Sequence, residues 1–321
     1  MLEPFEVAPV LIEKPWGGTR LSELGKHPGR AYFGESWEIA DLAPEVAPTV
    51  EDPVSRVIGG RWRGWSLGGV ASKLGEELMG PVPLGPDGRF PLLVKLIDAR
   101  EHLSVQVHPT GEYTSTHPGT HLKTESWYVV DADPGSNLFL DVDTSSPKNR
   151  VMADLDGVTV VPHLRTVPAR VGAFHHIPAG MIHALGAGVM VAEVQTPSDT
   201  TFRVYDWATE YDRDPRELHT DEARETVILR HPNAFDLAPM TQGTDRELAS
   251  TPHYWIAEHR YDGGQVGLDG RPGVRILMCV TGTARAGDVA MRQGSTVIVP
   301  ACALDAEVHL DGSLLEIGVP V

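Results

Sequence analysis

Apolar residues in this chain come in short bursts, and glycine and proline separate the bursts. Pro91 to Ile97, Ser126 to Val130 and Val158 to Val161 are each of strand length and are bounded by turn-forming residues, which predicts strands. Helical spacing is local. Val70, Leu74 and Leu78 recur on one face of Gly68 to Met79, and Asp221 offers an acid before the mixed run that ends at Leu229. The pattern predicts a mainly β protein decorated by a few helices.

Two segments echo each other. Gly172-Ala-Phe-His-His-Ile-Pro178-Ala179 and Gly294-Ser-Thr-Val-Ile-Val-Pro300-Ala301 share the spacing from Gly to Pro-Ala. In each, glycine permits a sharp turn, a short apolar strand follows, and Pro-Ala ends it, which implies two related barrels. His183 lies five residues after Pro178, whereas Asp305 holds that place after Pro300, so the second copy is expected to be structural. The expected division is 1–237 for the region with the chemistry and helical insertions, and 238–321 for a degenerate barrel. The charged, proline-rich stretch Asp206 to Leu237 reads as a connecting segment between them.

The 321 residues suffice for about two average domains and a large core. With 44 acidic residues against 27 Lys and Arg, the net charge is −17. Such a field repels phosphate backbones and anionic lipid, so neither nucleic acid nor membrane is an expected partner. A small anion is still admissible, because a metal and a few local cations dominate at short range. Cys279 and Cys302 are too few for a disulfide framework, and no apolar stretch approaches a membrane span or a leader. A cytoplasmic protein is expected, and no oligomeric state is assigned.

Four residues carry candidate chemistry. Gln106 and His108 are two apart, so on a strand they share a face, with Ser104 on the same side. Glu125 would arrive from the next strand and His183 from the strand after Pro178. Two imidazoles, a carboxylate and an amide oxygen suit zinc, with manganese, iron, cobalt and nickel also admissible. Other pairings compete: Glu125 with Lys123, and Gln106 with backbone. His175 and His176 are adjacent and would face opposite ways on a strand, and His117 and His121 lie in a loop-like stretch.

These residues sit in a longer series: Lys14-Pro-Trp-Gly-Gly, Gly34-Glu-Ser-Trp-Glu38, Leu92-Leu-Val-Lys95, Leu103-Ser-Val-Gln-Val-His-Pro109, Lys123-Thr-Glu-Ser-Trp-Tyr128, Ile177-Pro-Ala-Gly-Met-Ile-His-Ala184, and Glu193-Val-Gln-Thr-Pro-Ser-Asp-Thr-Thr-Phe-Arg-Val-Tyr-Asp-Trp207. In this order the series resembles the type I phosphomannose isomerase family, which are zinc-dependent cupins, and most of all its short bacterial branch. The resemblance implies two cupin-like jelly-roll barrels. It also implies zinc on Gln106, His108, Glu125 and His183, a catalytic Arg203, and a phosphorylated sugar as substrate, with mannose 6-phosphate and fructose 6-phosphate interconverted. Two departures from the family pattern lie nearby: Gly172-Ala173 replaces the usual Gly-Asp, and Gln195-Thr-Pro-Ser is an uncommon variant.

Moving a carbonyl between C1 and C2 requires a base and an electrophile. A metal meets the second need. Arg203 suits stabilisation of developing negative charge, or else a salt bridge to Asp199 or Glu193. Glu193 and Asp199 are both candidates for acid/base work, and Lys123 for ring opening or phosphate binding. Lys95 and Ser104 are candidate phosphate contacts, since a cation and a hydroxyl suit a dianion. Trp16, Trp37 and Trp127 read as core. Gly17-Gly18 and Gly59-Gly60 match no phosphate-cradling motif, and there is no nucleophile elbow, P-loop or Rossmann fingerprint. An isomerase of another sugar, an iron oxygenase and a non-catalytic sugar-binding cupin are the alternatives.

Overall fold

Short strands must find partners for their backbone groups, and in the computed structural model, which describes residues 2–27, 32–85 and 87–321, they do so in three antiparallel sheets. The fold is mainly β and cupin-like, as expected from the sequence. One sheet has seven strands, ordered Phe235–Leu237, Phe174–Ile177, Glu125–Ala132, Val189–Gln195, Leu93–Ala99, Glu35–Ile39 and Val10–Ile12. A five-stranded sheet runs Phe202–Tyr205, Val105–Val107, His183–Leu185, Asn137–Val142 and Leu164–Pro168. These two enclose a core of Ile97, Trp127, Val129, Leu138, Leu140, Ile177, Leu185 and Val191.

Alternation along the strands decides what faces what. Val94, Leu96, Tyr128, Val130, Ala192 and Val194 point away from that core and pack with Ile256, Ile276, Met278, Leu315 and Ile317 of the third sheet. The third sheet has eight strands, three of them long: Trp255–Val266, Arg275–Ala286 and Val308–Gly318. It curls around a core of its own that includes Val266, Leu277, Ala286, Val297, Val308 and Leu314. Its strand Thr296–Val299 also pairs with Phe5–Ala8 from the other end of the chain, Phe5 lying opposite Ile298. The outer face of the five-stranded sheet is covered by the 206–237 segment, which contributes Trp207, Ala223 and Leu229.

Both echo segments have the same local geometry. Gly172 and Gly294 each have φ of 84°, and the strands Phe174–Ile177 and Thr296–Val299 each start two residues later and end before the proline. The predicted helix over Gly68 to Met79 is two short ones, Leu67–Leu74 and Glu76–Met79, divided at Gly75 with φ of 51°. The second predicted helix is Thr220–Thr226. The strand expected at Val158 to Val161 is a correction: Gly157–His163 forms a 3-10 helix. Gly157 enters it at φ of 67°, Pro162 lacks a ladder donor, and Val160 alone is buried while Val158 is exposed. Among the described residues, no helix is long and apolar enough to cross a membrane.

Candidate metal centre

The register places the predicted ligands together. Arg203, Gln106 and His183 lie directly opposite one another across three adjacent strands, so their side chains share the inner face of the five-stranded sheet. Glu125 projects toward them from the seven-stranded sheet. His108 Nε2 lies 3.2 Å from Glu125 Oε2, and His183 Nε2 lies 3.2 Å from Glu125 Oε1. One ligand atom from each of these three residues falls within 4.8 Å of the others, and all three side chains are buried.

Hydrogen bonds orient both imidazoles. Nδ1 of His108 donates to the Thr200 carbonyl at 3.1 Å, and Nδ1 of His183 to the Met181 carbonyl at 2.9 Å. With the protons placed there, each Nε2 presents a lone pair to a carboxylate oxygen, an acceptor against an acceptor. His108 Nε2 and both Glu125 oxygens are buried with no hydrogen-bond partner, although Lys123 Nζ forms an ion pair with Glu125 Oε2 at 3.1 Å. A cation between them resolves this, so the donor set fits a metal ion. Protonation is not the alternative for His108: burial, then the Lys123 charge, pushes it down to about 3. Burial works to raise Glu125, but Lys123 and His108 outweigh it and hold the carboxyl well below its usual range.

Gln106 completes the group. Its Nε2 lies 3.3 Å from His183 Nε2, and its Oε1 accepts from Ser104 Oγ at 3.1 Å. A 180° turn of the amide preserves its shape, turns Oε1 toward the centre and leaves the amino group for Ser104. Lys123 is buried with Nζ 3.1 Å from Glu125 Oε2.

Lys95, expected as a phosphate contact, lies between two carboxylates. It is 2% exposed, with Nζ 3.3 Å from Glu35 Oε2 and 3.3 Å from Glu193 Oε1. Burial disfavours its charge, but Glu35 and Glu193 more than compensate and hold its pKa above the ordinary lysine value. Ser104 is buried, with its hydroxyl beside the Gln106 amide. Glu193 takes a 2.8 Å bond from Trp127 Nε1 besides the Lys95 contact, and burial and then the Glu125 charge raise its pKa. Asp199 is half-buried, and its charge acts on Lys95 without a direct side-chain contact among the described residues.

Arg203 pairs with neither Asp199 nor Glu193. Its Nη1 donates to the Glu217 carbonyl at 2.7 Å, and its buried Nε, without a hydrogen-bond partner, lies 3.8 Å from Asp206 Oδ1. Burial, then the nearby Arg216 charge, lowers it to about 10. The competing histidines lie outside the cluster. His175 meets Asp236, His176 meets Ser126 and Tyr254's neighbourhood, and His117 stacks on Tyr113. Glu35 was not anticipated, although a glutamate within a fully buried strand, Glu35–Ile39, is the signal that could have found it.

A profile described as phosphomannose isomerase type I, catalytic domain, matches residues 8–136. The mannose-6-phosphate isomerase of Streptococcus mutans is 31% identical over 309 residues, covering 94% of this chain and 93% of its own. The chain belongs to the type I phosphomannose isomerase family. Among solved family members, the mannose 6-phosphate isomerase from Bacillus subtilis matches with a TM-score of 0.79 at 25% identity, covering 98% of this chain and 99% of that one. Another mannose 6-phosphate isomerase, solved with zinc and yttrium, shares the fold with a TM-score of 0.71 at 16% identity, with full coverage of both chains (100% and 100%). The ladder opposing Arg203, Gln106 and His183 is thus the frame that brings these side chains to one face in this phosphomannose isomerase family member.

Proposed function

We propose that this chain is an aldose-ketose isomerase interconverting mannose 6-phosphate and fructose 6-phosphate, with one zinc ion held by Gln106, His108, Glu125 and His183. The observation that carries the reading is the buried lone-pair confrontation between two backbone-oriented imidazoles and Glu125, in a chain similar to mannose-6-phosphate isomerases over nearly its whole length. The mixed nitrogen and oxygen set without thiolate suits zinc. When bound, zinc supplies a Lewis acid where oxyanion character develops.

The protein's own groups do the rest. Arg203, in line with Gln106 and His183, directs a permanent positive charge at the same region and stabilises an enediolate. Lys123, beside Glu125, assists ring opening by handling a proton at the ring oxygen. Of the two candidate bases, Glu193 is in direct contact with Trp127 and Lys95, whereas Asp199 makes no direct side-chain contact among the described residues and is the carboxylate we assign to carry the proton between C1 and C2. A coupled assay of zinc-loaded protein on mannose 6-phosphate, with a chelated sample beside it, tests the reading. Metal-dependent formation of fructose 6-phosphate is expected, and a zinc-loaded protein without turnover would overturn it.

A further inference from the structure

Gln195 holds an acceptor oxygen with nothing to accept. Its residue lies directly opposite Glu125 on one side and Leu93 on the other, so it belongs to the inward face that carries the metal centre. The side chain is fully buried (0% exposed), and Oε1 has no hydrogen-bond partner. The amide cannot turn to relieve this. Its Nε2 donates to two carbonyls of its own turn, Thr196 at 2.8 Å and Ser198 at 2.6 Å, and reversing it would set oxygen against both. The acceptor is therefore fixed in direction.

The ligand such an atom takes is a hydrogen-bond donor. A phosphate dianion offers only acceptors and would be repelled, whereas a sugar hydroxyl supplies a proton in the required sense. Resting on the isomerase reading above, we propose that Gln195 Oε1 accepts a hydrogen bond from one hydroxyl of the open sugar chain and so makes the site selective for its configuration. The same turn runs on to Thr200, whose N–H donates to Ser198 Oγ and whose carbonyl orients His108. Discrimination among sugars and orientation of a metal ligand thus share one short segment, Gln195 to Thr200.

The test compares wild type with Gln195→Met, which keeps length and removes the acceptor, on mannose 6-phosphate and on its singly deoxygenated analogues. A loss of about tenfold to a hundredfold in kcat/KM is expected on the parent sugar. The gap between the two proteins should close on the one analogue that lacks the partner hydroxyl. Equal losses on every analogue, or a variant that no longer retains zinc by elemental analysis, would overturn the assignment in favour of a structural role. Gln195→Asn, which retracts the oxygen by one methylene, gives the same readout if the methionine variant does not fold. Calorimetric binding of mannitol phosphate and its deoxy derivatives separates this idea from the isomerase reading. Hydroxyl-dependent binding that Gln195→Met abolishes would sustain the contact even in a protein without turnover, and binding indifferent to the substitution would sink it.

Discussion

Replacing Lys95 by methionine removes the cation between Glu35 and Glu193 while keeping most of the volume. Breaking one side of a buried ion pair costs about 3–5 kcal/mol, because a charge is left uncompensated in low dielectric. Glu35 retains Lys14 at 3.4 Å, so the lower end applies, about 3 kcal/mol, with Glu193 bearing most of it. Over 321 residues, an unfolding entropy of about 2.1 cal/mol/K per residue turns this into a fall of about 4–5 °C in Tm. Loss of Lys95 also raises the Glu193 pKa beyond the elevation that burial and Glu125 already impose. A raised folded-state pKa contributes stability that is complete below the unfolded value and disappears as pH rises through the folded one. The deficit against wild type is accordingly small at acid pH and grows as pH rises through the folded value of Glu193, an interval sampled from about pH 5 to about pH 8. Differential scanning calorimetry of the zinc-loaded proteins across that interval measures it, with KM for mannose 6-phosphate determined beside it. A variant with unchanged Tm at every pH and a KM raised about tenfold or more would refute the reasoning and restore Lys95 as a phosphate contact.

His183→Ala should lose metal and turnover together, checked by elemental analysis of the purified variant, because it removes a buried donor facing Glu125. Arg203→Ala should retain the metal and lose about two to three orders of magnitude in kcat, as expected when a preorganised stabilising group is removed. Asp199→Asn should abolish most turnover with little change in Tm, whereas Glu193→Gln should affect both, a contrast read from parallel kinetics and melting curves. In the eight-stranded sheet, His259 sits 2.6 Å from Asp245 and 2.8 Å from Glu316. Burial alone would lower its pKa, but Glu316 and Asp245 raise it. His259→Gln should therefore cost stability below about pH 6.5 and progressively less above the folded value, as thermal unfolding at acid and alkaline pH would report.

The candidate metal donors were legible because period-two spacing is a local property: Gln106 and His108 share a face on any strand, and the blocks around Glu125 and His183 are short. What lay beyond reach depended on pairing at a distance. Lys95 as a free cation was a fair reading of its own strand, and Glu35, sixty positions earlier, is what takes its charge. The contacts of Arg203 depend on distant pairing in a similar way. Sequence offered the nearby carboxylates Asp199 and Glu193, and the fold offered a backbone carbonyl, Glu217, returned by a loop. Val158 to Val161 failed differently: four apolar residues look like a strand until Gly157 and Pro162 are given their backbone consequences.

The pairing of Phe5–Ala8 with Thr296–Val299 gives the protein a particular order of events in its making. A nascent chain holds the first of these strands long before the second exists, so that ladder cannot close until residue 299 has been synthesised. Until then Phe5–Ala8 has only the two-residue strand Arg56–Val57 to lie against, and the hydrophobic layer shared with the third sheet stands open. Closing so large a loop costs little more entropy than closing a loop half its length, but it delays the reward until residue 299 has been made. Ribosome-bound intermediates of this enzyme are thus expected to expose an aggregation-prone sheet face that the finished protein hides.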